Sequence, residues 1–158
     1  MDLAVSLMRL QLHLTHEKTN NNMNHFDGDL YITPRHNNEK WDGLHWIVTS
    51  PFSYTDQEFN QKINIPSGFI TDGASSPRFV IPVVSQWGKH GRASVIHDWL
   101  YRYKPVDRKT ADKMFVNAMK LDGVVKWKIF LIHFALQMFG KFSWKSTEKY
   151  LSDYSIPK

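Results

Sequence analysis

The hydrophobic rhythm of this chain changes once, near Pro82, and that change constrains the fold more than any other feature. Upstream, Leu44, Trp46 and Val48 alternate with His45, Ile47 and Thr49. A period of two belongs to strands. Downstream, Ala93, Ile96, Leu100 and Tyr103 recur at the spacing of one helix face. A strand-rich half followed by a helix-rich half predicts an α+β fold: a small N-terminal antiparallel sheet, then a three-helix half.

Turn residues divide the strand half. Leu30–Thr33 is expected to stop at Pro34, and Phe52–Tyr54 to continue the sheet after Pro51. Lys62–Ile65 and Phe69–Thr71 flank Pro66-Ser67-Gly68, which suggests a meander. In the helical half, Arg92–Tyr103 is expected to end at Lys104-Pro105-Val106-Asp107. Asp107 is a natural N-cap for the next helix. That helix runs to about Leu121, turns Ala111, Met114, Phe115 and Ala118 inward, and stops at Asp122-Gly123. A third, Val124–Phe139, is expected to end at Gly140, with a short helix and tail beyond. Its Ile129–Phe139 part, apolar nearly all round, reads as a core helix or as a buried contact with another subunit, a homo-oligomer in the second case. His133 within it reads as a core histidine.

The chain has 158 residues, 42% of them hydrophobic and 14% aromatic, enough for one folded domain. Residues 1–22 are expected to form an N-terminal arm. Leu3, Leu7, Leu10 and Leu14 suit a short amphipathic helix, although Leu10, Leu12 and Leu14 also alternate as in a strand. Residues 23–140 are expected to form the α+β domain, and 141–158 a basic tail. No cysteine is present, which excludes disulfides and thiolate metal sites. No secretory leader and no run long enough to span a bilayer are legible. The formal charge is +5, and from Val124 onward six Lys face two acids. This balance permits an anionic partner, while no nucleic-acid recognition motif accompanies it.

The stretch richest in chemistry is His97-Asp98-Trp99-Leu100-Tyr101. Ser94, His97 and Tyr101 share a stripe beside the core face, and Asp98 points about 100° further round. A loop of about five residues makes the first two helices antiparallel. His97 lies about as far before that loop as Asp112 lies after it, so the two are expected to meet. A carboxylate on one imidazole nitrogen fixes the tautomer and leaves the other nitrogen as a base. Each of these residues also has a plainer role. His97 and Tyr101 suit a satisfied core, Asp98 an ion pair with Arg102, and Asp112 a pair with Arg108 or Lys109.

Two further groups accompany this stripe. Asp72 in Thr71-Asp72-Gly73 suits a tight turn, and its carboxylate can bind a metal or cap amides. Ser75 and Ser76 lack the context of a serine nucleophile. Lys89, Gly91 and Arg92 open the first helix, where bare amides and cations suit an anion. The plainer alternatives are a turn leaving a strand and a flexible loop. No paired metal-binding histidine motif appears.

Taken in order, Ile65-Pro66-Ser67-Gly68-Phe69-Ile70-Thr71-Asp72-Gly73-Ala74-Ser75-Ser76-Pro77, Gly91-Arg92-Ala93, His97-Asp98-Trp99-Leu100-Tyr101 and Ala111-Asp112-Lys113-Met114-Phe115 resemble a phage and prophage family catalogued as domain of unknown function 1353. The resemblance runs from about Phe26 to Gly140. It implies a tailed-phage or prophage origin and supplies no activity.

A second, local resemblance is to phospholipase A2, on the His-Asp-x-x-Tyr helix and its partner Asp. It implies that His97 activates water, that Tyr101 and Asp112 brace it, and that Asp98 with Asp72 binds calcium. The disulfides and compact calcium loop of that family are missing.

Two functions follow as expectations. One is a phage hydrolase, calcium-dependent by the second resemblance, acting on an ester or amide of the host envelope. The other is a non-enzymatic virion component of the tail, neck or capsid, or an assembly protein. Its partners would be other virion proteins or the host envelope. Its location would be the virion, or the host cytoplasm during infection.

Overall fold

The computed structural model describes residues 23–37, 40–73 and 88–146. The arm at 1–22, the Ala74–Pro77 part of the turn-prone run and the end of the basic tail lie outside the described residues. Among those described, strands β1 (His25–Asp27), β2 (Ile32–Asn37), β3 (Lys40–Val48), β4 (Phe52–Asp56), β5 (Gln61–Ile65) and β6 (Ile70–Thr71) precede helices α1 (Gly91–Tyr103), α2 (Arg108–Leu121) and α3 (Lys126–Ser146). The fold is α+β, with every strand pair antiparallel.

The strands form two sheets rather than one meander, in the orders β1-β4-β5 and β2-β3-β6. The chain leaves one sheet for the other at Thr49-Ser50-Pro51, where Pro51 has no amide to extend a ladder. Pro34 does not stop β2. It pairs with Trp46, and the register shifts just beyond it. Because β2 is an edge strand, a missing donor there can face outward.

Helix boundaries follow local chemistry. Lys104 adopts a left-handed conformation, and its amide closes α1 on the Leu100 carbonyl. Pro105 behind it disfavours another helical residue at that position. Asp107 caps α2 by accepting from the amides of Lys109 and Thr110 at 2.9 and 3.2 Å. Gly123, at φ 69°, turns the chain after α2. The expected stop at Gly140 is not observed, since α3 continues through it to Ser146. Gly140 is buried within the helix, against the Tyr101 hydroxyl.

Val48, Tyr54, Ile65, Ile96, Leu100, Met114 and Met119 are fully buried where sheet and helices meet. Asp56 joins the two halves from inside. It accepts from Tyr54 Oη at 2.7 Å and from Asn117 Nδ2 of α2 at 3.2 Å. Burial, then the Asp56 carboxylate, pushes the Tyr54 phenol upward, so it stays a donor. The third helix is core on one side only. Ile129, Ile132 and Ala135 are buried, while His133 is half-exposed against Gln137 rather than in the core. Among the described residues no helix is long and apolar enough to cross a membrane.

Candidate functional site

The structure brings His97 and Asp112 together. His97 Nε2 lies 3.1 Å from Asp112 Oδ1. The same oxygen accepts from Tyr101 Oη at 2.6 Å, and Asp112 Oδ2 accepts from Arg108 Nη1 at 2.9 Å. Three donors thus converge on one carboxylate that is 1% exposed. The arrangement begins with the Asp107 cap, which sets where α2 starts and so where Asp112 falls opposite α1.

Rings hold the imidazole in place. Phe115 stacks on it with centroids 4.5 Å apart and 23° between planes, and Tyr101 tilts over it at 4.1 Å. Trp144 meets Tyr101 edge-on at 4.9 Å. His97 is 8% exposed. Burial lowers its pKa, and the opposing pull of Asp112 is smaller, so the ring is neutral at pH 7. The Asp112 carboxylate, which also takes the donors of Tyr101 and Arg108, favours the tautomer with the ring proton on Nε2 and a lone pair on Nδ1. Burial and Asp112 push the Tyr101 phenol up, which keeps it protonated as a donor.

Asp98 faces elsewhere, as its helical phase requires. Its Oδ2 accepts from the Thr71 hydroxyl at the end of β6, and Thr71 Oγ1 accepts from the Gly73 amide at 3.0 Å. Asp72 reaches this place and shares a hydrogen bond with Asp98. Burial, followed by the Asp72 charge, raises the Asp98 pKa well above the usual carboxylate range, with Arg102 opposing. Arg102 also donates to the Ile70 carbonyl at 2.8 Å, tying β6 to α1.

Calcium takes about six to eight oxygen ligands. Asp72 and Asp98 supply two carboxylates, and among the described residues no three acidic or histidine side chains gather. The described residues alone do not complete a calcium site.

The expected anion site is dispersed. Lys89 is exposed and Gly91 is buried at the start of α1. Arg92 turns to Asp122, with Nη2 2.6 Å and Nε 3.0 Å from its Oδ1, and packs over Phe26 at 4.3 Å. Its charge is engaged in tying α1 to the end of α2.

Several contributors carry no local sequence signal. In the sequence Thr71 reads as the end of a strand entering a turn. Phe115 looked like plain core, and Gly140 like a helix stop. Each acts through a residue distant in sequence, so only the packed fold reveals it.

A family model described as "Protein of unknown function (DUF1353)" matches residues 46–136. The chain belongs to this family. The DUF1353 match takes in Asp72, His97, Asp98, Tyr101 and Asp112. Two curated relatives come from Sinorhizobium fredii (strain NBRC 101917 / NGR234). "Uncharacterized protein y4jT" is 30% identical over 95 residues, covering 59% of this chain and 28% of the relative. "Uncharacterized protein y4iH" is 30% identical over 106 residues, covering 63% of this chain and 42% of the relative. The chain therefore spans less than half the length of either. No solved structure matches it.

Proposed function

We propose that this DUF1353 protein is a hydrolase that activates water at Nδ1 of His97. The observation that carries the proposal is the bond from His97 Nε2 to Asp112 Oδ1, an oxygen that also holds Tyr101 Oη. A neutral imidazole with one nitrogen committed to a carboxylate has its other nitrogen poised as a base. Water gives a proton to Nδ1 as its oxygen attacks an acyl carbon. Asp112 stabilises the resulting imidazolium. The proton then passes to the departing alcohol or amine, and the carboxylic acid is released. Tyr101 and Arg108 hold Asp112, and Phe115 fixes the ring plane; these are positioning residues.

The run imidazole, carboxylate, phenol supports reading the pentapeptide by its phospholipase A2 likeness, and that likeness suggests an acyl ester as the substrate. The phage or prophage origin implied by the motif order would place that ester in the envelope of a bacterial host. Asp98, bound to Thr71 and Asp72, anchors the end of β6 beside the same helix.

The test is hydrolysis of bacterial envelope preparations in heavy-oxygen water, with mass spectrometry of the released carboxylates. The wild-type chain is expected to incorporate the label, and His97→Gln to lose about 10²–10⁴-fold in rate. No release by the wild type, or equal rates for the two, would sink the proposal.

A further inference from the structure

The outer face of α3 is unlike the rest of the described surface. Trp127, Phe130, Phe134, Met138 and Phe142 follow one another at intervals of three or four residues, which sets them in one line along the helix. All five are exposed, Phe130 by 72% and Phe142 by 74%. The opposite face, with Ile129, Ile132 and Ala135, is the one packed into the fold. Phe130 and Phe134 stack with ring centroids 6.5 Å apart, within a ridge that is apolar along its length.

Charge identifies what this ridge fits. Lys126, Lys128 and Lys141 lie on the same helix, and its 21 residues include no acid. Pairing α3 with α3 of a second copy would set lysines near lysines with no carboxylate on the helix to answer them. An anionic lipid surface answers all of them. Trp and Phe suit the boundary between headgroups and acyl chains, and lysine stems can reach past an apolar face to lipid phosphates. At about 1.5 Å per residue, the ridge is a little over 20 Å long, suited to lying in the interface plane.

We infer that the Trp127–Phe142 face of α3 docks the protein on an anionic membrane surface. Aromatic side chains enter the interface, and the lysines meet the headgroups. This inference rests on observations separate from those at His97, and the two fail separately. His97→Gln is expected to bind membranes as the wild type does.

The test is flotation of the full chain with vesicles of phosphatidylcholine and phosphatidylglycerol, against vesicles of phosphatidylcholine alone. Binding is expected only where phosphatidylglycerol is present, and it weakens as salt rises. Lys126→Glu with Lys128→Glu is expected to weaken it by about tenfold or more. Phe130→Asp with Phe134→Asp is expected to abolish it while circular dichroism and Tm stay at wild-type values, since neither ring enters the core. Size-exclusion chromatography with light scattering gives the oligomeric state of each. Three results would each overturn the inference. One is a wild-type chain left unbound by phosphatidylglycerol vesicles. Another is binding indifferent to phosphatidylglycerol and to the lysine reversals. The third is a wild-type dimer made monomeric by the aspartate pair, with no vesicle binding by either.

Discussion

Gly140 of α3 stands directly against the phenol of Tyr101 on α1. A Cβ at this position would lie 2.8 Å from Tyr101 Oη and 3.2 Å from Arg108 Nη1. Both groups donate to Asp112. The third helix therefore packs against the two donors that hold Asp112, and glycine allows that approach.

Gly140→Ala is the first variant that follows. At an open helix position the change would gain about 0.5–1 kcal/mol. Here the methyl must displace a hydroxyl whose bond to Asp112 is 2.6 Å. Overpacking of this kind costs about 1–3 kcal/mol. Urea denaturation is expected to show a net loss of stability, with reduced hydrolysis as Tyr101 shifts. A net gain would mean that Tyr101 yields freely and that the contact has no tension in it.

Asp112→Asn removes the acceptor shared by three donors. An amide offers one oxygen, and its NH₂ group must face another donor. Arg108 also loses its counter-charge. Breaking a buried pair by neutralising one partner costs about 3–5 kcal/mol. Tyr101→Phe removes a single hydrogen bond and is expected to cost about 1 kcal/mol. Equilibrium unfolding of both variants checks the ordering. Equal costs would mean that Asp112 is not the hub of the network.

Asp98→Asn is expected to stabilise the protein at neutral pH. The Asp98 pKa is raised by burial and by Asp72. A raised acid binds its proton more tightly when folded than when unfolded. Its contribution is present in full below the unfolded value of about 3.9, and it is lost as pH rises through the folded value. Asparagine keeps an oxygen for Thr71 and offers Asp72 a donor, with no proton to lose. The Tm of the variant should exceed that of the wild type at pH 7, and the gap should narrow on acidification. A variant less stable than the wild type at pH 7 would contradict this.

Local rules carried much of the fold. Period two and the helix-face spacing placed most elements, and the Asp107 cap and Gly123 turn lie where their chemistry put them. The approach of His97 to Asp112 was legible because two helices joined by a short loop leave little freedom of register. The split into two sheets was not, because it depends on which strands find each other across the chain. Pro34 misled because a proline rule ignores whether a strand is at an edge. Gly140 misled because its neighbour, Tyr101, is 39 residues away in sequence. The link from Thr71 and Asp72 to Asp98 joins β6 and its following turn to a helix about a quarter of a turn off the main stripe; the resemblance paired Asp72 with Asp98 as metal ligands, and the Thr71 hydroxyl that binds Asp98 carried no signal.

His97 is the residue on which the hydrolase proposal depends, and the position of its ring proton is the quantity to measure. Nitrogen-15 NMR of histidine-labelled protein, followed against pH, reads both tautomer and charge. The expected spectrum at pH 7 is a neutral ring protonated at Nε2, bonded to Asp112, with Nδ1 bare. Because burial lowers the His97 pKa, the ring should stay neutral below the ordinary value of about 6.5. The sign for stability follows: it is present in full above that value and is lost as pH falls through the folded one. A proton on Nδ1, or an imidazolium at pH 7, would leave no base at this site and would contradict the proposal.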